Sequence, residues 1–181
     1  MMETSTEIHQ AWFRQVLSHF PTGVVIVTAM SGGAPAGLSV GSFLSVSLDP
    51  QLVAVLPAKT STSWPKIAGA SSFCINVLRA SHQDLCRRFA VSGGDKFTGV
   101  QWHPAPSGAP ILDGALAWID CEHQRSIDAG DHLIVLGQVL VLDIDTSQSA
   151  APLIFFQGGY GTFTGNGSPP AAAAMNGRRS G

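Results

Sequence analysis

AGLSVGSFLSVSLDP, residues 36–50, is the stretch on which the fold turns. If the segment is extended, alternate side chains point to opposite sides. Leu38, Val40, Leu44, Val46 and Leu48 then share one face, interrupted by Ser42, while Ser39, Gly41, Phe43, Ser45 and Ser47 share the other. The plainest reading is a half-buried strand with one wetted face. Three serines and a glycine in register on that face ask for a second reason.

Working outward, GVVIVTA (23–29) reads as a strand, SGGAP as a turn, 36–48 as a second strand and LVAVL (52–56) as a third. That order predicts an antiparallel meander. Residues 6–20 place Ile8, Trp12, Val16 or Leu17 and Phe20 at helical spacing before Pro21, which predicts one amphipathic helix. Hydroxyl side chains in KTSTSWPKIAGA (59–70) suit the start of a short helix with Pro65 in its first turn. FCINVL (73–78) reads as a strand. Ser81 and Asp84 stand three apart at the start of SHQDLCRRFA, like a capping pair, and predict a helix. Residues 91–113 are rich in Gly and Pro and predict a long, functional loop. Residues 115–127 and 132–144 read as two long strands joined by a turn at DAGD (128–131), and IFF (154–156) as a short one. Residues 1–10 are expected to be a flexible N-terminus, 11–164 one domain, and 165–181 a disordered tail.

HLIVLGQVLVLDI (132–144) is apolar on both faces, with Leu133, Val135, Val139 and Val141 on one and Ile134, Leu136, Leu140 and Leu142 on the other. A barrel strand needs one interior face, so a helix or a second subunit must cover the other. Charged residues are only 12% of the 181 and mean hydropathy is +0.22, which favours the subunit. Many strands with few helices predict a mainly β chain, a closed β-barrel with peripheral helices.

A net charge of −2 gives no footprint for nucleic acid. The longest apolar run, GVVIVTAM (23–30), is too short to span a bilayer, and the first twenty residues lack the apolar core of a secretory signal. The expectation is a cytoplasmic protein. Cys74, Cys86 and Cys121 lie apart among apolar neighbours and read as reduced, structural thiols. GxGxxG, Walker, HExxH and GxSxG patterns are missing, and the six histidines lack zinc spacing. Any redox or transfer chemistry would then come from a cofactor. The serine face suits the edge of a flat heteroaromatic ring, and Lys59, Thr60, Ser61 and Thr62, with Arg87 and Arg88 further on, offer donors for phosphate. Taken singly, Lys59 and the Arg pair are ordinary surface residues.

PTGVVIVTA (21–29), GLSVGSFLSVSLDP (37–50), RRFA (87–90) followed by DKF (95–97), GAPIL (108–112), AGDH (129–132) and GGY (158–160) occur in this order. Together they resemble the flavin reductase family with the FMN-binding split barrel, over about residues 11–163. The resemblance implies a homodimeric split β-barrel of Greek-key type. It further implies NADH or NADPH as hydride donor, FMN or FAD as acceptor, and a separate monooxygenase that receives reduced flavin, even by diffusion alone. By the same resemblance, Ser39, Gly41, Ser42, Ser45, Val46 and Ser47 line the isoalloxazine, and Lys59, Ser61 and Thr62 meet phosphate or ribityl. Arg88 and Tyr160 map to further cofactor contacts, and His132 lies near the nicotinamide. Asp131 is expected to shape the turn that presents His132. The chain departs from the family at Ser39, where Thr is common, at Gly41, where Asn is, at Gln51, where a second Pro is, and at Gly161, where a basic residue is. Two other readings are a flavin- or haem-binding barrel without turnover, and a flavoprotein that reduces another acceptor such as a corrinoid or quinone.

Overall fold

The computed structural model describes residues 8–146 and 150–165. The expected flexible N-terminus therefore lies mostly, and the expected disordered tail almost wholly, outside the described residues. A helix, α1 (Gln10–Leu17), begins inside the first of these segments and is shorter than the predicted 6–20. Next come β1 (Thr22–Gly23), β2 (Val25–Ser31), β3 (Ala34–Val40), β4 (Phe43–Leu48), β5 (Gln51–Val55), α2 (Trp64–Ala68), β6 (Ser72–Val77) and α3 (Gln83–Ala90). A short hairpin, β7 (Trp102–Pro104) and β8 (Pro110–Leu112), lies in the 91–113 loop. The long hairpin β9 (Ala117–Ala129) and β10 (His132–Ile144) follows, then β11 (Leu153–Phe156) and β12 (Gly159–Thr162). Among the described residues no helix is long and apolar enough to cross a membrane.

The strand expected over 36–48 is in fact two. Seven antiparallel strands run in the order β3, β2, β6, β9, β10, β5, β4, so the two halves of that stretch lie at opposite edges of one sheet. Only Gly41 and Ser42 separate them, and the Cα steps from Val40 to Phe43 reach at most about 11 Å. The sheet must therefore curl until its edges meet at this corner. Val40 pairs with Val25, whereas Phe43 pairs with Val55; the change of partner is what breaks the strand. The alternation fails again within β4. Ser45 pairs with Val53 and Ser47 with Leu52, so Val46 is an extra residue in a bulge.

The inner face of the curl is filled by Val25, Val27, Val40, Val53, Val55, Phe73, Ile75 and Val135. A second cluster, Val24, Ile26, Leu78, Cys86, Phe89 and Leu153, packs outside β2 under α3. That close approach depends on Gly37, where an added Cβ would stand 2.3 Å from the Phe89 ring. Asn76, fully buried, donates to Ile26 O and Thr28 Oγ1 and accepts from Leu112 N at 2.8 Å. This network fixes the far end of the 91–113 loop to the sheet. The predicted cap at Ser81 is absent; Ala80–His82 form a 3₁₀ turn and α3 starts at Gln83 with no side-chain cap.

The second half of β10 stays open. Leu140, Val141, Leu142 and Ile144 are exposed, as are Leu44, Val46 and Leu48 on β4. No residue of α1 is buried, and Trp12, Phe13, Leu17 and Phe20 are exposed.

Candidate functional site

The corner between β3 and β4 opens into a cavity of about 340 Å³. Its walls are Leu38–Ser42, Leu56, residues 58 and 60–63, the end of α3 at Ala90–Ser92, Lys96 and His132. Among the described residues, seven hydroxyl-bearing residues, one lysine and one histidine line it, with no carboxylate.

Local hydrogen bonds explain how each wall is held. Ser42 Oγ donates to Leu56 O (3.1 Å), and Leu56 N donates back to Ser42 O (3.2 Å), which pins the corner to the end of β5. Ser61 Oγ accepts from Ser63 N (3.3 Å) and Trp64 N (3.1 Å), opening α2. Thr62 Oγ1 accepts from Gly93 N (3.2 Å). A hydroxyl that accepts from backbone keeps its own O–H to give away. Ser61 and Thr62 therefore remain donors toward a ligand.

Gly41 lines the cavity. A Cβ there would come 3.1 Å from Thr22 Oγ1, so the missing side chain makes room for β1. Ser39 Oγ lies 3.2 Å from Cys86 Sγ, which lies 3.3 Å from Tyr160 OH. The cavity wall is thereby tied through α3 to β12.

His132 opens β10 and is anchored by its neighbours, with Lys59 N donating to Asp131 O and Leu133 N to Pro57 O. Its Nδ1 sits 2.7 Å from Asp131 Oδ1. That hydrogen bond, together with the histidine's charge, holds the Asp131 carboxyl below its ordinary value. An ionised carboxylate can only accept, so Nδ1 carries the proton it donates to Asp131. His132, Ser42 and Leu56 also border a larger, more apolar cavity of about 770 Å³ reaching Phe13 and Leu17 of α1.

Seven of the sequence-derived candidates meet here: Ser39, Gly41, Ser42, Thr60, Ser61, Thr62 and His132. The others stand elsewhere. Ser45, Val46 and Ser47 run along β4 past the corner, with the bulge turning them away from regular alternation. Lys59 is a surface residue paired with Asp128 at 2.6 Å. Arg88 is exposed, its Nη1 donating to Thr98 O at 2.9 Å. Tyr160 lies behind α3 with the Arg87 guanidinium over its ring at 5.6 Å, and burial and the Cys86 contact push its hydroxyl up to about 12.

Lys96 was missed. It is 8% exposed and donates to Ser63 Oγ (2.8 Å), Phe89 O (2.9 Å) and more weakly Gly37 O (3.4 Å). Its signal was the DKF run, where the lysine stands among glycines that read as an ordinary solvated loop. All three cysteines are buried and free. Burial raises the Cys74 thiol, and burial with Asp120 pushes Cys121 up to about 12.

Residues 17–164 match the family described as flavin reductase like domain. A flavin reductase from Pseudomonas putida is 50% identical over 157 residues, 86% of this chain and 91% of that one. Component B of nitrilotriacetate monooxygenase from Mycobacterium thermoresistibile superposes with a TM-score of 0.85 at 40% identity, covering 92% of this chain and 93% of its own. An NADH:FAD oxidoreductase from Streptomyces globisporus, in complex with NAD and FAD fragments, gives 0.81 at 32% identity, covering 88% and 95%.

Proposed function

The chain belongs to the flavin reductase like domain family, and from that premise we infer that it is an NAD(P)H:flavin oxidoreductase whose reduced flavin serves a separate monooxygenase. The observation that carries the assignment to a site is the hydroxyl-rich cavity with one buried lysine and no carboxylate. Such walls fit a ligand that is rich in acceptors and anionic, as FMN and FAD are. When both are bound, the nicotinamide is the hydride donor and the flavin the acceptor, so no protein nucleophile is required.

The chain's own groups do the positioning. Ser39, Ser42 and the backbone at Gly41 form the wall against which the ring edge lies. Ser61 and Thr62 turn their hydroxyl protons toward the ribityl or phosphate. His132, its Nδ1 held by Asp131, stands between the polar and the apolar cavity and orients the nicotinamide amide. Holding the two rings in contact is worth a large rate factor by proximity alone.

The curled seven-stranded sheet is best described as a split β-barrel of Greek-key type, and the functional unit as a homodimer. The exposed apolar residues of β4 and β10 support this, because a single chain leaves Leu48 87% and Leu142 57% exposed. In this arrangement Ser45, Val46 and Ser47 extend the flavin wall under cover of the second protomer. Light scattering at twice the 18.9 kDa chain mass is the expected result. Dimerisation retained in a Leu48→Asp, Leu142→Asp double variant would count against this interface.

The activity is tested by NADH oxidation with added FMN, with added FAD and without flavin. Saturable turnover that requires free flavin is expected. Turnover that needs no added flavin, or none despite tight flavin binding, would instead favour a bound prosthetic group or a carrier.

A further inference from the structure

Three side chains link the cavity wall to the last strand. Ser39 Oγ on β3 lies 3.2 Å from Cys86 Sγ on α3, and Cys86 Sγ lies 3.3 Å from Tyr160 OH on β12. Ser39 lines the cavity, whereas Cys86 and Tyr160 do not. Cys86 is 1% exposed, and its Sγ has no further partner among the described residues. Each of the three groups carries one proton, and the two contacts use two of them. One proton is therefore left over, at one end or the other.

The chemistry of the two ends decides which. An alkyl hydroxyl is a better acceptor than a phenol, whose lone pair is drawn into its ring. Here that ring also lies beneath the Arg87 guanidinium, 5.6 Å from its centroid, which draws on it further. Burial and the Cys86 contact raise the Tyr160 hydroxyl, so it keeps its proton to donate. The favoured order runs from Tyr160 to Cys86 to Ser39, with the phenol donating to the thiol and the thiol to the serine oxygen. Ser39 Oγ then already accepts, and its own proton is the one left for the cavity. We propose that Tyr160 and Cys86 are positioning residues that fix Ser39 as a hydrogen-bond donor toward the flavin ring. The ring edge carries mostly acceptors, carbonyl oxygens and ring nitrogens, so a serine held as a donor suits it. The inference rests on the reading of this cavity as the flavin site.

Riboflavin has the ring and no phosphate, so it isolates the effect. It is titrated by fluorescence against the full-length protein and its Ser39→Ala, Tyr160→Phe, Cys86→Ser and Cys86→Ala variants, and against the Ser39→Ala, Tyr160→Phe double variant. Ser39→Ala should weaken binding about fivefold, the worth of one ordinary hydrogen bond. Tyr160→Phe should show a smaller loss, about twofold, because Ser39 can then turn its proton back toward Cys86. The double variant should bind no worse than Ser39→Ala alone. Cys86→Ser can pass the same hydrogen bonds and should bind as the parent does, while Cys86→Ala should match Tyr160→Phe. The visible absorption maximum of bound riboflavin should shift in the same direction in Ser39→Ala and Tyr160→Phe. Tyr160→Phe keeps the ring that meets Phe155 edge-on and lies under Arg87, so this arm stands even if substitutions at the buried Cys86 fail to fold. Losses that multiply in the double variant would show that Tyr160 acts by packing and would overturn the proposal, as would full affinity in Tyr160→Phe or in Ser39→Ala. Failure of riboflavin to bind the unaltered protein would overturn the reading of the cavity, and the proposal with it.

Discussion

Lys96 and Lys59 border the same region under opposite conditions. Lys96 lies in the cavity wall between β3 and α3, 8% exposed, with neutral partners. Lys59 lies beside the rim, its side chain 41% exposed, with a carboxylate at 2.6 Å. The rim charge is satisfied twice over, by Asp128 and by water, and has little left to offer a ligand. The wall charge is satisfied by neither. A cation's readiness to bind an anion depends on what it lacks, and that is a property of packing. The wall and the rim should therefore answer very differently to substitution.

The largest effect belongs to the wall. Gly37→Ala would drive a methyl group into Phe89, which itself sits between β3 and α3. Overpacking of this kind costs about 3 kcal/mol, and the displaced helix carries Phe89 O, a partner of Lys96. Thermal unfolding should show a clear drop in midpoint together with weakened FMN binding. A variant as stable as the parent would mean that α3 can slide without consequence, and the rigid wall would be lost as an explanation.

A second prediction uses pH. Because burial and Lys66 lower the pKa of Lys96 from 10.5, its positive charge is given up at a lower pH than that of an ordinary lysine. The advantage of FMN over riboflavin should then shrink as pH rises, beginning below the ordinary lysine range. Asp95 stays ionised throughout, being held below its usual value by Thr98 and Phe97, so it contributes no slope there. An advantage unchanged through that range would show that Lys96 does not sense the phosphate.

At the rim, His132→Ala should raise the KM for NADH about fivefold, the worth of one ordinary hydrogen bond, with flavin affinity intact. Asp131→Asn keeps the contact but removes the charge, so a smaller rise is expected. Since the folded-state pKa of Asp131 is depressed from 3.8, its contribution is present above that value and lost as pH falls through the lower one. The Asn variant and the parent should accordingly converge in acid. Unchanged kinetics in His132→Ala would remove the histidine from the site.

Much of the fold was legible because strand signals are local. The β10 bounds, His132 to Ile144, coincide with the predicted segment, and the hairpin at DAGD follows from Asp and Gly in sequence. What was not legible was the change of partner at Gly41 and Ser42. Both halves of 36–48 have strand periodicity, and only pairing with β2 on one side and β5 on the other shows that they part. The site divides the same way. Ser39, Ser61 and Thr62 stand in local hydroxyl runs and Ser42 came through the family resemblance, and all four line the cavity. Lys96 could not be named, because its burial comes from α3 and β3 converging on it, and no local pattern records that.

The smallest expected effect sharpens the opening contrast most. Lys59→Ala removes an exposed pair whose worth is at most about 1 kcal/mol, and it leaves Asp128 in water, where an unpaired carboxylate costs little. Stability should hardly move. Salt screens what remains, so even that difference should fade as ionic strength rises. FMN affinity is the informative readout, because the sequence alone makes Lys59 as good a phosphate ligand as any lysine in the chain. If FMN binding is unchanged in Lys59→Ala and impaired in Lys96→Met, burial without a counter-charge is what selects the anion site. If the order is reversed, Lys59 must leave Asp128 to reach the ligand, and the rim, being mobile enough to do so, would be the part of the site that closes on the flavin.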